Sequence, residues 1–214
     1  MEVTILKAEE YFNEKRYTES LDICNEIKNH HPNSIKASTL AIKCLLYLGK
    51  TEDSKLYLKK IFSLINNESE LELIKDLANL FQSFGDQGTS REIYHKILDI
   101  NERYVPAITN LGSLELVYGN NQKAIKLLLK ATEIDPNFVP GLYNLANAYF
   151  QLGNIDAAKT YLIKAIKLNT NLFNPYFLLG SILLGESKVK EAEPYMRKAI
   201  EIKSNYASAH FNLG

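Results

Sequence analysis

Histidine and cysteine have the widest chemical range of the residues in this chain, since they bind zinc and act as bases or nucleophiles. They are few: His30, His31, His95, His210, Cys24 and Cys44. No histidine is spaced to share a helix face with a second metal ligand or a triad partner, and Cys24 with His30 and His31 lacks a fourth zinc ligand. No glycine-rich phosphate loop occurs. The sequence therefore favours a non-enzyme with no catalytic residues, metal or cofactor, and predicts two free, buried thiols.

The composition is that of an ordinary soluble chain. Of its 214 residues 46% are hydrophobic and 23% charged, which suits one or two domains. Lys plus Arg and Asp plus Glu both number 25, giving zero net charge, and there is no basic stripe of the kind that nucleic-acid-binding proteins carry. The chain lacks a signal peptide and any run of about 18 uncharged apolar residues. We therefore expect a cytoplasmic protein that binds neither nucleic acid nor membrane.

A 34-residue period organises the chain. The units are 1–34, 35–68, 71–104, 105–138, 139–172 and 173–206, with Ser69 and Glu70 as an insertion. Position 20 is Ala or Ser in every unit, positions 8 and 27 are small in the last three, and position 15 is Gly in four, with Lys15 and Ser187 in the others. Apolar residues between these marks recur at helical spacing. Each unit is therefore predicted to be two antiparallel helices joined by a turn with positive φ at position 15.

The small residues predict how the helices pack. Positions 8 and 20 are expected where the two helices of a unit cross, and position 27 where one unit meets the next, because Gly, Ala or Ser lets backbones approach closely. A single helix pair buries too little apolar surface to fold alone. Stacked units are therefore expected to form a solenoid.

This pattern resembles the tetratricopeptide repeat, which is marked by Leu and a small residue at positions 7 and 8, an aromatic at 11, Gly at 15, Ala at 20 and 27, and Pro at 32. Residues here that carry those marks include Tyr11, Pro32, Phe81, Leu111, Gly112, Pro136, Leu145, Ala146, Tyr149, Leu179 and Gly180. The resemblance covers essentially the whole chain. It implies an all-α fold, a right-handed solenoid of antiparallel helix pairs over residues 1–214, and a scaffold for protein or extended-peptide ligands.

Several residues depart from the repeat pattern. Position 27 is isoleucine in the first three units, which, with the insertion, suggests a joint near 66–70 unless repacking absorbs the bulk. Pro194 falls in the second helix of the sixth unit and would cost about 3 kcal/mol in a helix interior, but less if that helix starts near Lys190. Glu115 replaces the usual aromatic, and a buried carboxylate needs a partner. We interpret this glutamate as structural.

The resemblance also implies that the first helix of each unit lines a concave binding wall. Amides and hydroxyls recur there at positions 6 and 9, with aromatic side chains beside them. The predicted peptide-binding groove contains Lys75, Asn79, Asn110, Ser113, Tyr143, Asn144, Asn147, Phe150, Gln151, Phe177 and Asn212. Its amides resemble the asparagine ladder of O-linked N-acetylglucosamine transferases, which implies hydrogen bonding to a peptide backbone. The alternative is that asparagine at position 6 only solvates the helix face.

A carboxylate clamp for chaperone tails is the second comparison within this family. Lys75, Asn79 and Asn110 match its first three residues, but Pro140 and Asn144 stand where two cations are needed. Without those cations a carboxylate loses most of its charge-assisted hydrogen bonds. Chaperone-tail binding is therefore not predicted.

The last eight residues, 207–214, place Asn212 and Gly214 at positions 6 and 8 of a partial seventh repeat. We interpret the chain as a fragment, because a natural solenoid rarely stops within a helix. Two alternatives to a free-standing scaffold follow. One is the N-terminal substrate-recognition region of a larger glycosyltransferase or sulfotransferase with its catalytic domain beyond residue 214; the other is self-association through exposed end repeats.

Overall fold

The computed structural model describes residues 2–203, and this part of the chain is helical without a strand. The chain forms two compact units, each of which contains several of the 34-residue repeats. The first unit ends at Tyr104, and the second unit begins at Val105. The first unit contains α1 (Glu2–Asn13), α2 (Tyr17–His30), α3 (Ile35–Tyr47), α4 (Thr51–Leu64), α5 (Leu71–Ser83) and α6 (Gln87–Ile100). The second unit contains α7 (Val105–Val117), α8 (Asn121–Ile134), α9 (Val139–Gln151), α10 (Ile155–Leu168), α11 (Phe173–Gly185) and α12 (Val189–Ile202).

The helices keep the predicted 34-residue frame. From α3 onward, each first helix begins at position 1 of its repeat, and every second helix begins at position 17. The two helices of each repeat pack against each other, and between successive repeats α2 packs on α3, α8 on α9 and α10 on α11. The predicted all-α stack of helix pairs is confirmed.

The turn within each repeat has the backbone conformation that the glycines predicted. Gly49, Gly85, Gly119 and Gly153 have φ between 74° and 84°, and Lys15 and Ser187 adopt φ of 62° and 61° at the same position. The following amide closes the turn: the Lys188 N–H donates to the Leu183 carbonyl at 2.9 Å. Two residues with a Cβ thus take up a conformation that favours glycine.

Close helix crossing explains the small residues. A Cβ on Gly112 would lie 2.8 Å from Leu128 Cγ, and one on Gly180 would lie 2.9 Å from Met196 Cε. Ala124 and Ala192 at position 20 are fully buried. The expected crossing at positions 8 and 20 is therefore confirmed. The bulky residues of the first unit also lie in its core, since Ile61 is fully buried at position 27.

The residues that depart from the repeat pattern are accommodated locally in the structure. A 3-10 turn over Glu68–Glu70 takes up the two inserted residues before α5. α12 begins at Val189, so Pro194 is its sixth residue and lacks the N–H that would donate to the Lys190 carbonyl. The chain divides into its compact units between 104 and 105; a single solenoid with a joint near 66–70 stays a prediction.

Candidate functional site on the first helices of the repeats

Some first helices of consecutive repeats pack on one another: α1 packs on α3, α3 on α5, and α7 on α9. The first helix of each repeat is its A helix, and the solvent-facing side of these helices is called the A-helix wall. In the first unit this wall is formed by α1, α3 and α5, and in the second unit by α7, α9 and α11. All the predicted groove residues within the described chain lie on these first helices. Asn212 lies outside the described residues.

α9 presents the most open part of the predicted groove. Its inner side is buried through residues such as Leu142, Leu145 and Ala146, because these fill the contact with α10 and the neighbouring repeats. On the other side Tyr143, Asn144 and Asn147 are half-buried, while Phe150 and Gln151 are exposed. These five residues recur at helical spacing and share one side of α9.

The amides of Asn144 and Asn147 are available to a ligand. Neither side chain hydrogen-bonds to any residue in the described part of the chain, although each amide can donate and accept. The two residues are three positions apart, so they are neighbours on the helix surface. Phe150, 38% exposed, lies one turn further along. This side of α9 thus combines free hydrogen-bonding groups with an exposed aromatic ring.

An apolar cavity of about 430 Å³ adjoins the α9 face. Tyr143 and Pro140 line it from α9, Phe173 and Pro175 from α11, and Lys203 lies at its edge. The Phe173 ring also stacks on the predicted groove residue Phe177, with ring centroids 5.4 Å apart and planes 15° apart. The sequence did not predict Phe173 and Pro175 as groove residues, because positions 1 and 3 are apolar or small in every repeat, as expected for residues that only pack the helices together.

The remaining groove residues of the second unit lie on α7. Asn110 and Ser113 are half-buried there, three positions apart like Asn144 and Asn147. α7 contacts α9. The polar positions 6 and 9 of two consecutive repeats are therefore carried by neighbouring helices.

In the first unit, the two predicted groove residues are engaged by neighbouring side chains. The Lys75 amine pairs with Glu72 and lies 3.4 Å from the Asp76 carboxylate. Partial burial opposes charge on Lys75, but the hydrogen bond to Glu72 and the acidic charges outweigh it and raise the pKa of the amine. The buried Tyr94 hydroxyl donates to the Asn79 amide oxygen at 2.6 Å. A ligand of this region would have to compete with these partners.

Glu115 is a structural residue, as expected. It is fully buried, and its carboxylate accepts from the Lys123 amine at 2.7 Å and from the Asn120 amide at 2.7 Å. These partners offset the desolvation of the charge. The carboxylate thus stays inside the repeat and away from the A-helix wall.

Among residues 2–203, no group of three or more His, Cys, Asp or Glu side chains could hold a metal ion. His30 and His31 are exposed at the C-terminal end of α2, and His95 is exposed on α6. His210 falls outside the described residues. Over the same residues, no helix is long and apolar enough to cross a membrane.

Models of known protein families match part of this sequence. Models of the tetratricopeptide repeat match residues 139–172 and 173–206, and a further TPR repeat model matches residues 118–153. Residues 118–206 therefore carry tetratricopeptide repeats. The matches fall in the second half, where the sequence keeps alanine at position 27. No curated protein matches the sequence.

Solved structures with the same fold are distant in sequence. The APC/C hetero-tetramer Cut9-Hcn1 matches 98% of this chain with a TM-score of 0.69 and 16% identity, and this chain spans only 41% of that chain. Pseudomonas aeruginosa PilF matches 82% of this chain, and 79% of its own, with a TM-score of 0.67 and 22% identity. MamA from Desulfovibrio magneticus RS-1 matches 79%, and 94% of its own, with a TM-score of 0.63 and 19% identity. At these identities the likeness establishes the fold alone.

Proposed function

We propose that the protein is a peptide-binding scaffold and that the A-helix wall of its second unit holds an extended segment of a partner protein. The observation that carries this proposal is the pair of amides on Asn144 and Asn147, which have no partner within the described part of the chain, beside the exposed Phe150 ring. An extended backbone has unpaired N–H and C=O groups, which an amide can satisfy at once as acceptor and donor. The neighbouring solved structures, one of them a subunit assembly, support a role in protein interaction.

The apolar cavity lined by Tyr143 and Phe173 supports side-chain selection. Aromatic residues dominate the binding energy of many interfaces, and a cavity of about 430 Å³ is within the range that holds a small organic group. In this proposal the amides grip the peptide backbone, while the cavity selects an apolar side chain next to it.

The test is a selection of 12-residue peptides from a random displayed library on the whole 214-residue chain, followed by fluorescence anisotropy with the selected peptides. Asn144→Ala with Asn147→Ala should weaken binding by about 10- to 30-fold, because each lost hydrogen bond is worth about 1 kcal/mol. The matched control is Gln122→Ala, an exposed amide on α8 without a partner among the described residues. Binding that survives the double substitution, or that falls equally with the control, refutes this site.

The transferase alternative stays a prediction and concerns a different part of the protein. Sequencing the gene past Gly214 tests it: a catalytic α/β domain would support it, and a polar capping helix with a stop codon would exclude it. Self-association is tested by light scattering across protein concentration, where a monomer at every concentration excludes it.

A further inference from the structure

We draw no further inference here: the strongest candidate, the cluster of aromatic rings that Phe12, Tyr17, Tyr47 and the exposed Phe84 form beside the turns within the first three repeats, carries none because nothing in the described part of the structure shows what covers it.

Discussion

Replacing Ser187 by glycine should stabilise the second unit. Ser187 holds φ at 61° in the turn before α12, where Gly119 and Gly153 hold φ of 75° and 76° in the equivalent turns. A left-handed conformation costs about 1–2 kcal/mol for a residue with a Cβ. Glycine loses about 0.5–1 kcal/mol of that gain through its more flexible unfolded state. We therefore expect a net gain of about 0.5–1 kcal/mol, since the Ser187 side chain is exposed and forms no hydrogen bond within the described part of the chain.

Urea unfolding of the whole chain, followed by circular dichroism, measures the effect, with the reciprocal change as its control. Gly153→Ser places a Cβ in the same conformation in a turn with open space around the glycine, so its expected loss comes from backbone strain alone. The urea concentration at the midpoint of unfolding should rise for Ser187→Gly and fall for Gly153→Ser. If both variants unfold like the original chain, or if Ser187→Gly is the less stable one, the strain argument is wrong.

Further predictions concern buried groups, each tested by urea unfolding unless stated otherwise. Lys123→Met should lower the free energy of unfolding by about 1–3 kcal/mol, because it removes a charged partner of the buried Glu115, and adding Glu115→Leu should recover part of the loss. Pro194→Ala should raise it by about 1–3 kcal/mol by restoring one helix hydrogen bond; no change would mean that the helix already accommodates the ring. Cys24 and Cys44 are buried free thiols and should react with a thiol reagent only when the first unit opens. Burial, with a smaller effect of Cys44, raises the pKa of the Cys24 thiol to about 12. The free energy of unfolding should therefore fall as the pH rises above about 8.5, because the thiol of the unfolded chain ionises there while the buried thiol stays protonated. A flat profile between pH 8 and 10 would contradict this.

The fold could be predicted from the sequence because the 34-residue period marks the same helices and turns in each repeat. Positions 8, 15 and 20 constrain the backbone directly, through close crossing at Gly112 and positive φ at Gly119. Side-chain bulk was less informative. Ile61 at position 27 is fully buried in the first unit, which fits both a joint near 66–70 and a continuous stack whose side chains adjust to one extra branched residue.

The availability of wall residues could not be predicted, because it depends on partners distant in sequence. Asn79 and Asn147 occupy the same position of their repeats, yet Asn79 accepts from Tyr94 at 2.6 Å while Asn147 has no partner among the described residues.

The repeat period also constrains the peptide that we propose for the second unit. Packed helices lie about 8–10 Å apart, so equivalent residues on α7, α9 and α11 recur at about the length of three extended residues. Position 6 carries amides on the first two of these helices, Asn110 and Asn144, and Leu178 on the third. A bound segment of about nine residues would therefore present its backbone to the amides over two thirds of its length. Its last third would meet Leu178 and the stacked Phe173 and Phe177 rings, so peptides selected on this chain should carry their apolar residues at one end.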